Sequence, residues 1–132
     1  MTAGLAPSLV SGWLNTLRSA GTAYSAVAGT FAQLHTGDPG AAGTASVSVG
    51  STARNSFTFA ASSSGSALSL SAAPAAWTNG GTSETLTHIS VWTASTGGTF
   101  LFSVALTASK AWASADTFTI TSLGASLSPQ SS

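Results

Sequence analysis

The spacing of apolar side chains changes once along the chain, near residue 30. Before that point, apolar residues recur three and four positions apart, which is typical of an amphipathic helix. These positions are Leu9, Val10, Trp13, Leu14 and Leu17. Pro7 suits the first turn of such a helix, and Gly21 is expected to end it. A helix of about 13 residues is marginal in water, so this apolar stripe needs a surface against which to pack.

Beyond residue 30, apolar and polar residues alternate, which is typical of β-strands with one buried face. In the clearest run, over residues 86–93, Ile89 and Val91 share one face and Trp92 lies on the other. Because β-branched side chains suit buried sheet positions, Ile89 and Val91 are expected to face the core. Trp92 is then expected on the outer face, where a large aromatic side chain is typical of a subunit interface.

A second run alternates over residues 100–106 and predicts one shared face for Phe100, Phe102 and Val104. Clusters of turn-forming residues separate the runs. They contain Asp38, Pro39, Gly40, Gly97 and Gly98. Short strands with turns about every 8–12 residues favour a sandwich or barrel. We therefore predict an all-β fold, a jelly-roll-like antiparallel β-sandwich of about eight strands with one short N-terminal helix.

The same pattern predicts three parts along the chain. Residues 1–21 form an N-terminal helix or arm, residues 22–127 form the β-sandwich, and residues 128–132, with the sequence SPQSS, form a tail.

Charged residues are scarce, at 5% of the chain against about 25% in a typical soluble domain. With only 3 Lys and Arg residues, the chain lacks the positive charge on which binding to nucleic acid or anionic membranes depends. A net charge of 0 leaves no charge repulsion between free copies, which favours a protein covered by neighbouring subunits. The alternative is a monomer made soluble by its Ser and Thr hydroxyl groups.

Few side chains could carry chemistry, and their spacing supports neither a catalytic nor a metal site. The candidates are His35, Asp38, Glu84, His88 and Asp116. No serine lies in a G-x-S-x-G motif, and no His-x-His or Glu-x-x-His pair offers metal ligands. Because the chain has no cysteine, disulfides and thiolate metal sites are excluded. We therefore expect no enzymatic activity, no cofactor and no bound metal.

Four residues are candidate interface residues or anchors: Trp13, Leu17, Arg54 and Trp92. Arg54 is either a solvated strand end or an anchor that pairs with Asp38, Asp116 or a neighbouring subunit. The four tryptophans also allow a competing hypothesis, a carbohydrate-binding module that stacks sugars on exposed rings. They are Trp13, Trp77, Trp92 and Trp112. Large aromatic side chains are more often buried, which weighs against that hypothesis.

Three ordered stretches resemble a family of small tailed-phage structural proteins, common in actinobacterial phages and tail-fibre-like or capsid-fibre-like. The first is LHTGDPG at residues 34–40 with Arg54 and residues 57–59. The second is LTHISVW at residues 86–92 with residues 96–103, and the third is ADTFTI at residues 115–120. The resemblance implies a virion structural protein with no cofactor and no catalytic residues.

We expect a virion component, as a head decoration or minor capsid protein on the particle surface, assembled as a homotrimer. Its expected partners are further copies of itself and other virion proteins, such as the major capsid or tail proteins, with neither nucleic acid nor membrane involved. The absence of fibre repeats and coiled-coil heptads favours a compact block over a long shaft. The alternative within the same class is a minor tail or tail-fibre-associated protein.

Overall fold

A computed structural model of the chain describes residues 3–18, 20, 24–62 and 67–126. Within these residues lie one helix and eight strands. In chain order they are α1 (Pro7–Asn15), β1 (Thr30–His35), β2 (Asn55–Phe59), β3 (Ala67–Ala72), β4 (Trp77–Thr78), β5 (Glu84–Trp92), β6 (Phe100–Trp112), β7 (Thr117–Phe118) and β8 (Gly124–Ser126). Gly21 and the predicted tail over residues 128–132 lie outside the described residues. Helix α1 already ends at Asn15, with Thr16 as its C-cap, so it is shorter than the sequence predicted.

Six of the described strands form one curled antiparallel sheet in the order β6-β5-β1-β2-β3-β8, and β4 pairs with β7 in a second, smaller sheet. The prediction of an all-β, sandwich-like antiparallel fold with one short N-terminal helix is confirmed. Strands β5 and β1 each have a neighbouring strand on both sides, and they carry the runs of buried side chains over residues 32–35 and 89–92.

The core lies on the face of the sheet that carries the β-branched residues. In the register of β1 against β5, Ala32 lies opposite Val91 and Leu34 lies opposite Ile89. These four side chains are between 0% and 3% exposed. The expectation that Ile89 and Val91 face the core is therefore confirmed, and burying such side chains stabilises the fold by roughly 1.5–3 kcal/mol each.

The opposite face of the sheet is covered as well, so the expectation that Trp92 faces outward is wrong. Trp92 is only 6% exposed. The segment that follows β1 folds back across this face, where Gln33 Nε2 donates to the Thr52 carbonyl oxygen at 3.0 Å. Alternation along a strand separates its two faces, but it does not show whether a loop covers the second one.

Strand β6 departs from regular alternation at two points. Val91 lies opposite Phe102 but Trp92 lies opposite Phe100, so the register shifts between them. Consequently the Phe100 ring lies 5.4 Å from the Trp92 ring, while the Phe102 ring lies 6.4 Å from that of Phe59. The prediction that Phe100 and Phe102 share one face is therefore wrong, because a β-bulge turns one of them over.

Helix α1 is held at its N-terminal end and open along the rest of its length. The Ala6 amide donates to the Leu101 carbonyl oxygen at 2.7 Å, and the Ser103 amide donates to that of Gly4 at 2.8 Å, so this segment pairs with the edge of β6. Leu9 is the buried residue of the helix. The apolar stripe predicted from the sequence is thus only partly packed against the chain's own surface.

Candidate functional site

The guanidinium group of Arg54 lies over the Trp92 ring, with Cζ 3.7 Å from the ring centroid. Its Nε donates to Gln33 Oε1 at 3.2 Å, and its Nη1 donates to the carbonyl oxygens of Gly97 at 2.6 Å and Ala94 at 3.3 Å. A cation held over an indole ring contributes about 0.5–2 kcal/mol, and the hydrogen bonds fix its orientation. Arg54 therefore fastens the residue 93–99 turn to the sheet.

The strand order explains why these distant residues meet. Arg54 directly precedes β2, which pairs with β1, and β1 in turn pairs with β5, which ends at Trp92. The turn after Trp92 reaches back over the ring because Gly97 and Gly98 both have positive φ angles, of 64° and 71°. A side chain at Gly98 would also meet the Ala94 backbone and Cβ at 2.9–3.0 Å.

A chain of buried hydrogen bonds continues inward from the Trp92 ring. Trp92 Nε1 donates to Ser90 Oγ at 2.7 Å, and Ser90 Oγ lies 2.7 Å from His35 Nε2. On the other side of the imidazole, His35 Nδ1 lies 2.7 Å from the Ala45 carbonyl oxygen. Because a carbonyl oxygen only accepts, Nδ1 carries the proton and Nε2 accepts from the Ser90 hydroxyl, so the pattern fits a neutral His35.

The surroundings of His35 also favour its neutral form. Burial lowers the pKa of His35 below its ordinary value, and the electrostatic influence of His88 and of the Arg54 guanidinium group lowers it further. The hydrogen bond to the Ala45 carbonyl oxygen acts in the opposite direction but is outweighed.

The distance between Ser90 Oγ and His35 Nε2 is that of a catalytic nucleophile and its base, but the burial and the hydrogen-bond partners of the pair are those of a structural contact. Both residues are 0% exposed, so no substrate reaches the hydroxyl group. The imidazole is oriented by a backbone carbonyl, where hydrolytic triads use a side-chain carboxylate or amide. The pair instead joins β1, β5 and the residue 36–47 loop.

The three acidic side chains hold turns. Glu84 accepts from the Ser48 hydroxyl group and from the Val49 and Gly50 amides, the last two at 3.2 Å. Asp116 accepts from the Ala113 amide at 3.2 Å, and Asp38 accepts from the Gly40 amide at 2.8 Å beside the buried Pro39. Within the described part of the chain, no three His, Asp or Glu side chains are grouped to hold a metal ion.

Three of the four tryptophans are buried, which removes the surface that a sugar-stacking module would need. Trp77, Trp112 and Trp92 are 2%, 1% and 6% exposed. The indole N–H of Trp77 donates to the Ala53 carbonyl oxygen and that of Trp112 to the Asp116 carbonyl oxygen. Trp13, at 37% exposed, is the remaining tryptophan and lies on α1.

An open apolar surface surrounds that helix. Trp13, Leu14 and Leu17 are 37%, 61% and 82% exposed. Beside the helix runs a groove of about 460 Å³, bounded by α1 and by side chains of β2, β3, β6 and β8. Its lining includes Leu5, Tyr24, Val27, Phe59, Leu68 and Phe102. The residues that line the groove are all uncharged, so the groove suits an apolar partner surface.

Of the four anchor candidates, the structure brings the half-buried Arg54 and the buried Trp92 together. It places Trp13 on α1 and Leu17 in the turn that follows the helix. An anchoring role toward a neighbouring subunit stays a prediction for all four. Sequence reasoning missed Gln33 and Ser90, which lie opposite each other in the register of β1 and β5. The available signal was that each of the two is a polar residue flanked on both sides by apolar ones. Their pairing depends on the strand register, which cannot be read from the sequence.

Among the described residues, no helix has both the length and the apolar character needed to span a bilayer. Comparison with protein families matches residues 7–128 to a family described as podophage GP4 fiber I protein gp80. The matched range contains α1 and every described strand. A search among curated proteins finds none that matches the chain.

Proposed function

Because the chain belongs to the family of podophage GP4 fiber I protein gp80, and is thus a structural component of a phage virion, we propose that it is a subunit of a fibre on the particle surface. The observation that carries this proposal is the family match over residues 7–128. The family's description as a fiber protein favours the fibre-associated alternative over the head decoration that we expected from the sequence.

The chemistry of the described residues supports a structural role. Polar side chains of the chain form hydrogen bonds that hold turns and strands together, as Glu84 does for residues 48–50. Ser90 and His35 are enclosed in the fold. We infer that the chain works by presenting surfaces to other proteins and not by turning over a substrate.

The proposed partners are further copies of this chain, as a homotrimer, and neighbouring virion proteins. The support is the composition: 5% charged residues and a net charge of 0 leave little repulsion between copies. Trp13 and Leu14 of α1 are exposed apolar side chains, and covering them with a partner surface would be favourable.

Imaging of virions tests the proposed location. Particles made with and without this chain are compared by cryo-electron microscopy, with the purified particles checked for the protein by mass spectrometry. We expect the protein in the particles and the loss of fibre density when it is missing, with the capsid shell unchanged. Density lost from the outer face of the shell would identify a head decoration protein instead, and absence from the particle would overturn the proposal.

A further inference from the structure

Directly after β4, the sequence places Asn79 before Gly80. In an Asn–Gly pair the backbone nitrogen of the glycine can attack the side-chain carbonyl carbon of the asparagine, because glycine has no Cβ to hinder the approach. A bond forms between Gly80 N and Asn79 Cγ, the Cγ–Nδ2 bond breaks, and ammonia leaves with the proton from Gly80 N. Water then opens the cyclic imide at either carbonyl carbon and yields aspartate or isoaspartate.

The fold holds the reacting side chain in place. Asn79 Nδ2 donates to the carbonyl oxygens of Thr82 at 2.8 Å and Trp112 at 2.9 Å, and Oδ1 accepts from the Gly81 amide at 2.9 Å. Asn79 is only 3% exposed. Because both N–H groups of the side-chain amide have acceptors, the amide cannot turn toward Gly80 N without breaking hydrogen bonds.

The backbone beside this side chain is fixed as well. The Asn79 amide donates to the Asp116 carbonyl oxygen at 2.9 Å, and the Ala115 amide donates to the carbonyl oxygen of Asn79 at 3.0 Å. The Gly80 amide, which contains the attacking nitrogen, donates to the Gly50 carbonyl oxygen at 2.8 Å. The attack requires this N–H group to leave its acceptor and lose its proton, so the hydrogen bond opposes the reaction.

From these contacts we propose that Asn79 is a deamidation site, which the folded chain keeps closed and which reacts when the segment around Gly50, Asn79 and Asp116 opens locally. Native proteins open locally and reversibly, and a reaction slower than reclosing follows the population of the open form. Besides the chain itself, the reaction needs only water.

The product does not fit the closed site. An aspartate at position 79 has no donor for the carbonyl oxygens of Thr82 and Trp112, which Asn79 Nδ2 satisfies, and it brings a negative charge to a buried position beside them. Isoaspartate also adds a methylene group to the backbone next to Gly80, whose amide pairs with Gly50. A chain that opens here and reacts therefore cannot close as before.

Gly50 offers a way to disturb the closed site without changing the reacting pair. A Cβ at Gly50 would lie 2.8 Å from Asn79 Oδ1 and 2.9 Å from Asn79 Cγ, so Gly50→Ala has to displace the side-chain amide. Gly4→Ala is the matched control, because a Cβ at that position meets no atom within 4 Å.

The experiment incubates the full chain at mildly alkaline pH, in buffer and in urea that unfolds it, and measures conversion by peptide-mapping mass spectrometry. Asn55, which precedes Ser56, is the reference within the same chain. We expect Asn79 to convert faster than Asn55 in urea, and at least about tenfold more slowly in buffer than in urea. Gly50→Ala should raise the rate in buffer severalfold and leave the rate in urea unchanged, whereas Gly4→Ala should change neither.

Equal rates for Asn79 in buffer and in urea would overturn the closed site, and conversion in urea no faster than at Asn55 would overturn the reactive pair. A rate in buffer that Gly50→Ala leaves unchanged would show that the packed amide does not control the reaction. If Gly50→Ala does not fold, the unsubstituted chain in buffer and in urea still decides. Asn79→Asp should lower the stability measured by urea denaturation, and unchanged stability would show that the product fits the closed site after all.

Discussion

Two regions of this molecule differ in how far the fold buries their side chains. Around Trp92 the chain pairs its polar groups with one another: Arg54 lies over the ring, Ser90 accepts from the indole N–H, and His35 contacts Ser90 and the Ala45 carbonyl oxygen. Along α1 and in the turn after it, the chain leaves apolar side chains open, with Leu14 61% and Leu17 82% exposed. Polar groups that are buried need partners fixed in place, and folding supplies them here. An open apolar helix face has no such partner within the described part of the chain.

The difference assigns separate tasks to the two regions. The Trp92 region contributes to the free energy of unfolding, because removal of any member leaves a buried group without its partner. Leu9 of α1 packs in the core, but the exposed Leu14 and Leu17 contribute little to that free energy and are the side chains that we propose for association. Substitutions in the two regions are therefore expected to change different measurements.

The largest expected effect is that of Trp92→Ala on fold stability. The substitution removes a buried ring and the base of the Arg54 stack, so we expect a loss of about 3–5 kcal/mol in the free energy of unfolding. Urea denaturation measures it. The matched control is Trp13→Ala on the open helix, which should cost less than about 1 kcal/mol. Similar losses for the two variants would contradict the assigned difference.

A large loss of stability in Trp92→Ala would be the opposite of the expectation drawn from the sequence, in which Trp92 was an interface residue on the outer face. The alternation over residues 86–93 correctly identified Ile89 and Val91 as core residues. It could not place the residue 36–54 segment over the second face, because that path depends on contacts such as Gln33 with Thr52. Nor could it show the β6 bulge that turns Phe100 toward Trp92, since a bulge changes the register without changing the composition.

Only part of the candidate site could be predicted from the sequence. The helical spacing correctly placed Trp13 on α1, because that pattern depends only on local geometry, but it carried the helix too far, since α1 ends before Leu17. The partners of Arg54 were not foreseen, because carbonyl oxygens at Ala94 and Gly97 have no signature in the side-chain sequence.

Arg54→Ala should have the next largest effect, a loss of about 1–2 kcal/mol in the free energy of unfolding. The loss includes the ring contact and the hydrogen bonds to Gln33 and Gly97. Arg54→Lys should recover only part of it, since an ammonium group cannot match the planar guanidinium geometry. Thermal melts of both variants measure these losses. If Arg54→Lys were as stable as the unsubstituted chain, the positive charge alone, and not the planar guanidinium geometry, would account for the effect.

A smaller effect concerns pH and His35. The pKa of His35 is lowered in the folded chain, so below about pH 6.5 the unfolded chain binds more protons than the folded one. Stability is therefore fully present above pH 6.5 and falls as the pH drops from there toward the folded-state pKa. Urea denaturation between pH 7.5 and pH 5 measures this slope.

His35→Gln should flatten that slope, because the group that titrates is gone. His88→Gln serves as the matched control, since it removes the other histidine and leaves His35 with its Ser90 and Ala45 contacts. An equal loss of slope in the two variants would show that the pH dependence does not arise from the buried network.

The smallest expected effect on the free energy of unfolding is that of Leu17→Glu, within about 0.5 kcal/mol, because the side chain is 82% exposed. Its effect on association should be the largest of all the variants. A drop in melting temperature comparable to that of Arg54→Ala would place Leu17 in the fold and remove it from the interface.

Amide hydrogen exchange measured at low and high protein concentration tests the division between the two regions most directly. The account predicts that raising the concentration protects residues 9–17 and the groove segment around Val27, whereas residues 88–98 and Arg54 exchange at the same rate throughout. Protection that rises with concentration around Arg54 and residues 93–99, with α1 unchanged, would contradict it.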